Sequence, residues 1–135
     1  IGWAEGRCLK KPIVEFYYKN DDLGDPLVTE THIKLLELAT TDEIKDLREQ
    51  ALKINDFLTK RFDKIDLQLI DFKLEFGRQS NGSLILADEI SPDTCRLWDR
   101  KTNEKMDKDR FRRNLGGLVE AYQEVWNRLD MDKDA

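Results

Sequence analysis

Apolar residues recur at spacings of three and four through Ile44, Leu47, Ala51, Ile54, Leu58 and Phe62. That is the period of a helix that buries one stripe. Thr40-Thr-Asp-Glu43 precedes it with capping-box spacing, so a helix opens there. The period then changes. Residues 65–77 (IDLQLIDFKLEFG) alternate with period two. Ile65, Leu67 and Leu69 share one parity, while Ile70, Phe72, Leu74 and Phe76 share the other. The switch near Leu69-Ile70 predicts a bulge or a change of face. Asn81-Gly82 is a hairpin signal, with residues 83–90 (SLILADEI) as the returning strand. Upstream, residues 13–18 (IVEFYY) read as a strand, residues 19–26 (KNDDLGDP) as a turn-rich loop and residues 31–39 as a short helix. Downstream, Ser91-Pro-Asp93 marks a turn and residues 95–98 a short strand; residues 107–114 and 118–129 read as helices around Gly116-Gly117. The sum is α+β, an antiparallel sheet with helices packed on it.

Length and charge narrow the classes. A chain of 135 residues is expected to form one domain, 1–135, with one core. Hydrophobic and charged residues are nearly balanced at 39% and 38%, a globular chain with a highly charged surface rather than a disordered one. A net charge of −5 argues against nucleic acid as a partner, although a local basic pocket remains compatible with it. Cys8 and Cys95 make neither a disulfide framework nor a metal cluster, and two reduced thiols fit a cytoplasmic protein. No apolar run reaches membrane-spanning length, and no basic-then-apolar leader opens the chain. Ile1 is not a methionine, and the first residues read like the middle of a longer protein.

The hairpin carries the first candidate chemistry. With Asn81-Gly82 as a two-residue loop, Ser80 pairs with Ser83 and Glu75 lies opposite Asp88. One sheet face then presents Asp71, Lys73, Glu75 and Asp88, and the other Phe72, Leu74 and Phe76. Facing carboxylates repel unless a cation stands between them or water solvates them. Magnesium uses one or two carboxylates plus substrate phosphates and water. Lys73 would neutralise charge on a phosphoryl oxygen. On pattern alone a solvated polar face is the better reading, and a one-residue slip would undo the pairing.

A second group follows. Lys108 and Arg112 stand four apart on one helix face, with Arg96, Arg110 and Arg113 near in sequence, and such cations are the usual partners of phosphate. A solvated face with Asp107 and Asp109 as partners is the simpler account. The lone His32 reads as structural or surface, and there is neither a Gly-rich phosphate loop nor a catalytic triad.

Four long segments in order give a resemblance that covers nearly the whole chain. Residues 12–26 (PIVEFYYKNDDLGDP) resemble the substrate-loop segment of the SAICAR synthetase family, the phosphoribosylaminoimidazole-succinocarboxamide synthases. Residues 71–77 (DFKLEFG) resemble its nucleotide and metal strand, and residues 86–99 (LADEISPDTCRLWD) its signature segment. Residues 106–112 (MDKDRFR), 115–117 (LGG) and 120–122 (EAY) resemble its closing helices. The resemblance implies the C-terminal portion of that enzyme, with an ATP-grasp-related fold and an N-terminal lobe absent from this chain. It implies an ATP-dependent ligase of purine biosynthesis. ATP would phosphorylate carboxyaminoimidazole ribotide and L-aspartate would displace the phosphate, with Mg2+ as cofactor. Carried over by motif, Glu75 and Asp88 become metal ligands, and Lys19 and Lys73 face the nucleotide. Asp25 orders its loop or the substrate, and Arg96 grips the ribotide phosphate or carboxylate. Asp93, Lys108 and Arg112 complete the substrate pocket, with Lys73, Asp93 and Arg96 as the catalytic set. The piece alone is expected to be inactive as a synthetase, and a homodimer is compatible with the resemblance.

Two alternatives belong to other classes. An inositol-phosphate-kinase-like phosphotransferase would fit Asp71-Phe-Lys73 but not the Ser-Pro-Asp-Thr-Cys-Arg segment. A non-catalytic acidic interaction module would bind neither magnesium nor nucleotide.

Overall fold

The computed structural model describes residues 2–132, so the extreme ends of the expected domain, Ile1 and residues 133–135, lie outside the described residues. The chain divides into two compact units, one ending at Asp56 and one beginning at Phe57.

The first unit opens on a two-stranded antiparallel ribbon, β1 (Phe16–Tyr17) with β2 (Leu27–Val28). The strand expected over residues 13–18 is shorter, and the strand at Leu27-Val28 was not anticipated. Two residues show too little alternation to register. The loop between them closes on a 3-10 turn, Asp21–Leu23, capped by the Asn20 side chain and ended by Gly24 at φ +68°. Helix α1 (Glu30–Leu35) overlaps the span expected to be helical, beginning one residue before it and ending four residues short of it. Thr29 and His32 cap it reciprocally: the His32 N–H donates to Thr29 Oγ1 and the Thr29 N–H to His32 Nδ1, both at 3.2 Å. His32 is therefore a structural residue.

Helix α2 (Thr41–Asp63) opens on the expected capping box, with Glu43 N–H on Thr40 Oγ1 and Thr40 N–H on Glu43 Oε2. Two orphan donors of the first turn are satisfied that way. Of its apolar stripe, Ile44 is buried in the first unit and Leu58 and Phe62 in the second.

The second unit is built on β3 (Leu67–Phe72) and β6 (Cys95–Asp99), an antiparallel pair. The register runs Leu69 with Leu97 and then Asp71 with Arg96, so Ile70 is the extra residue of a bulge, where the parity of the sequence changes. Leu67 and Leu97 have no solvent exposure, and Cys95, Trp98, Met106, Ala121 and Val125 complete the buried set with Leu58, Phe62 and Ile65. Full burial of such side chains is the main stabilising term in a unit this small. The closing helices are α3 (Asp109–Arg112) and α4 (Leu118–Met131), inside and around the expected spans.

The long alternating run is not one strand. β3 ends at Phe72, and β4 (Glu75–Arg78) pairs with β5 (Leu84–Ala87) in a separate ribbon. The described strands therefore form three two-stranded antiparallel sheets rather than one. The reason is connectivity: β5 and β6 are separated by the Ser91–Thr94 turn, so no single partner can follow residues 67–78 throughout.

The hairpin register also differs by one residue from the expected one. Gln79 N–H donates to Ser83 O and Gly82 N–H to Gln79 O, which makes a three-residue loop of Ser80, Asn81 and Gly82. A two-residue type I′ turn needs positive φ at both central residues. Gly82 stands at φ +86°, but Asn81 is not in the left-handed region. The ladder then pairs Glu75 with Ala87, not with Asp88.

Cys95 is buried and Cys8 exposed, and both are free thiols. Burial pushes the Cys95 thiol up to about 11. Asp99, buried at the end of β6, accepts N–H groups from Lys101 and Thr102 and pairs with Arg128 of α4 at 2.8 Å. Burial opposes its ionisation, but the Thr102 N–H, Arg128 and the Lys101 N–H hold it at about 2 against an ordinary 3.8.

Leu97→Ala is expected to lower unfolding free energy by about 2–5 kcal/mol in urea denaturation, whereas the exposed Leu36→Ala stays within about 0.5 kcal/mol. Asp99 is more acidic folded than unfolded, so its contribution is present above about 3.8 and is lost as pH falls toward about 2. Asp99→Asn should flatten the fall of the melting temperature across that window; an unchanged slope would remove Asp99 from the account.

Candidate functional site

Lys73 lies at the break between β3 and β4, and its main-chain N–H extends the β3–β6 ladder to Thr94 O at 2.8 Å. Glu75 opens β4 two residues later. Asp88 stands one residue past β5 at φ +64°. With Glu75 opposite Ala87, an extended Asp88 would turn to the other side of the ribbon. The left-handed backbone cancels that alternation, and Asp tolerates it better than most residues. The two carboxylates consequently meet on one lysine: Lys73 Nζ donates to Glu75 Oε1 at 2.6 Å and to Asp88 Oδ2 at 3.1 Å. The expected convergence of Lys73, Glu75 and Asp88 is present, although by a different route from direct cross-strand pairing. Hydrogen bonding from Glu89 and then from Lys73 holds Asp88 at about 2. Glu75, followed by Asp88, raises Lys73 above the ordinary lysine value, so the ammonium stays charged. Asp71, expected beside these groups, instead pairs with Arg96 Nη1 at 2.8 Å across the β3–β6 ladder.

The second cluster forms around the Ser91–Thr94 turn. Thr94 Oγ1 accepts from the Ser91 N–H and Ser91 Oγ from the Asp93 N–H, which fixes Asp93. Lys108 Nζ reaches Asp93 Oδ2 at 3.2 Å and Arg112 Nη2 its carbonyl at 3.3 Å, so the two cations spaced four apart do share a face. Tyr122 of α4 donates its hydroxyl to Asp93 Oδ1. That bond, ahead of Lys108, lowers the Asp93 carboxyl, while burial and Asp93 raise the phenol. Arg96 Nε bonds Asp109 Oδ2 at 3.0 Å, and Asp109 Oδ1 takes Arg112 at 2.8 Å. Asp71, Arg96, Asp109, Arg112, Asp93 and Lys108 are thus one chain of alternating charge. Arg96 has five N–H donors, of which these two bonds use two, and its side chain is 43% exposed. A guanidinium so held can add a planar anionic ligand without reorganising.

Asp109 acts as a partner of the helix-face cations, as the simpler account held, but Asp107 does not: it is fully buried and accepts the N–H groups of Leu97 and Asp109, both at 2.7 Å. Arg110 serves main-chain carbonyls of Lys105 and Gly116. Tyr122, which lies 29 residues from its partner, entered the sequence reading only within the segment 120–122 and without a role, and Asp107 was read as a surface residue because it stands in a charged run.

In the first unit, Lys19 Nζ pairs with Asp21 at 2.7 Å and Asp25 at 3.3 Å, and Asp25 Oδ1 accepts the Asn20 N–H at 2.8 Å. Asp25, itself at φ +48°, orders the loop. Asp21 and then Asp25 raise the Lys19 ammonium above its ordinary value.

Among the described residues no three His, Cys, Asp or Glu side chains form a metal cage. Glu75 and Asp88 do converge on a cation, the Lys73 ammonium. That donor set, two hard carboxylates and nothing more, fits magnesium completed by phosphate and water rather than zinc or calcium.

A model of the SAICAR synthetase family matches residues 1–129. A phosphoribosylaminoimidazole-succinocarboxamide synthase of Anoxybacillus flavithermus is 64% identical over 129 residues, covering 96% of this chain and 54% of its own length. The chain thus spans about half the length of the curated relatives it matches. The solved synthase of Ehrlichia chaffeensis superposes with a TM-score of 0.89 at 50% identity, over 94% of this chain and 55% of that one. A SAICAR synthetase solved in complex with ADP superposes at 0.90 with 51% identity, over 96% and 55%. Neither the inositol-phosphate-kinase alternative nor the non-catalytic module finds support in these matches.

Tyr122→Phe removes the donor that lowers Asp93. NMR titration of the Asp93 carboxyl is expected to move upward toward 3.8, with about 1 kcal/mol lost at neutral pH. The sign follows from the direction: the bond contributes only while Asp93 is ionised, above its unfolded value. An unmoved carboxyl would show that the hydroxyl does not hold it.

Proposed function

The chain belongs to the SAICAR synthetase family, and on that premise we propose that it supplies the phosphate- and metal-handling part of an ATP-dependent carboxylate–amine ligase. In the proposed reaction, a carboxylate oxygen of carboxyaminoimidazole ribotide takes the γ-phosphoryl group of ATP and releases ADP. The L-aspartate amine then attacks the activated carbonyl carbon, and phosphate leaves as the amide forms. Activation is needed because a carboxylate oxygen is otherwise a poor leaving group.

The observation that carries the reading is the convergence of Glu75 and Asp88 on Lys73. A divalent cation held by those carboxylates would offset charge on the nucleotide phosphates. Lys73 would hydrogen-bond a phosphoryl oxygen as charge moves to it, since its raised affinity for the proton keeps it cationic. Arg96, fixed by Asp71 and Asp109, would orient the ribotide phosphate or carboxylate. Asp93, Lys108 and Arg112, joined through one turn, would shape the rest of the pocket. Lys19 and Asp25 are assigned to ligand binding by motif likeness to the family. No helix among the described residues is long and apolar enough to cross a membrane, and a cytoplasmic place of action is part of the proposal.

In the complete enzyme carrying this chain, Glu75→Gln with Asp88→Asn should reduce magnesium-dependent ADP release, in the presence of aspartate and the ribotide, by about 10²-fold or more. Circular dichroism should remain unchanged. Full activity in the double variant would discard the assignment.

A further inference from the structure

Two carboxylates brought together at a strand end repel unless something positive separates them. Here that positive group is covalently part of the chain. Lys73 Nζ lies 2.6 Å from Glu75 Oε1 and 3.1 Å from Asp88 Oδ2. The backbone is bent to suit: Asp88 adopts φ +64°, without which its carboxylate would leave the lysine's side of the ribbon.

We propose that Lys73 is a resident counter-ion which a divalent cation must displace, so that ammonium and metal occupy the Glu75–Asp88 pair alternately and never together. This rests on the metal assignment made above. The carboxylate oxygens that accept the ammonium hydrogens are those a magnesium ion would take at about 2.0–2.1 Å. An ammonium left in place would sit beside a doubly charged ion, and like charges at such separations repel by an amount comparable with the attraction each feels for a carboxylate. The lysine is 55% exposed and unbranched, so it can swing away. A polyphosphate arriving with the metal offers the displaced ammonium a new acceptor. Metal without phosphate has to expel Lys73 into water, whereas metal with phosphate exchanges one anionic partner of the lysine for another. Metal and nucleotide are then loaded together because the free site neutralises itself.

The test is magnesium binding to the complete protein that carries this chain, with no turnover involved. By calorimetry, Lys73→Met should bind Mg2+ about tenfold more tightly than the parent. Lys101→Met, which removes an equal charge paired with Asp66 elsewhere in the same unit, should leave the affinity unchanged. In the parent protein carrying 15N-labelled lysine, saturating Mg2+ with inorganic tripolyphosphate should shift the Lys73 Nζ resonance away from its carboxylate-bound position. This readout holds even where the methionine variant folds poorly. Equal affinity in parent and Lys73→Met, or a Lys73 resonance unmoved at saturation, overturns the exchange and leaves the metal site standing. No magnesium binding to either protein overturns both.

Discussion

Asp107 is fully buried, and its two carboxylate oxygens take main-chain N–H groups from Leu97 and from Asp109. Burial raises this carboxyl above its ordinary value, and the two N–H bonds act against that rise. A buried polar group without partners costs several kcal/mol, so the chain can place Asp107 here only if β6 and the start of α3 keep one fixed separation. Much of the second unit follows from that constraint. Leu97 lies at the centre of the β3–β6 ladder. Asp109 carries the carboxylate that joins Arg96 to Arg112. A carboxylate that touches no solvent thereby sets, through Asp109, the direction of two exposed guanidinium groups, Arg96 and Arg112.

The β3–β6 ladder transmits the same order to the hairpin. Its last bond, Lys73 N–H to Thr94 O, ties the lysine's backbone to the turn that fixes Asp93. The carboxylate–lysine group and the alternating charge chain are therefore neighbours through main-chain hydrogen bonds, which are rigid. Long side chains do not have to supply the alignment. The proposed phosphoryl transfer would benefit from such preorganisation, because little would remain to be ordered when the ligand arrives.

Periodicity made part of this legible. The stripe of α2, its capping box and the bulge at Ile70 each leave a mark spaced by the geometry of a single element, and each is found where the spacing puts it. The hairpin was legible as a hairpin but not in register. Asn-Gly serves both a two-residue turn and a three-residue loop, and the difference lies in the φ of Asn81, which no residue name specifies. The pairing of Glu75 with Asp88 was accordingly misplaced by one step, yet their place on one face with Lys73 was not. One left-handed residue at Asp88 compensates the slip. Tyr122 and Asp107 were illegible for another reason. Their roles depend on which segments pack together, and a local pattern holds no record of partners ten or more residues away.

The contrast between the two thiols has a practical side. Cys95 is enclosed in β6, and its proton is retained up to about 11. A protonated, enclosed sulfur is a poor nucleophile. Cys8 is open to solvent. A maleimide dye added to the folded protein near neutrality would therefore mark one position, in the unit that ends at Asp56, with no cysteine needing to be engineered away. Fluorescence from that single label would report from the loop-bearing unit as ligands are titrated.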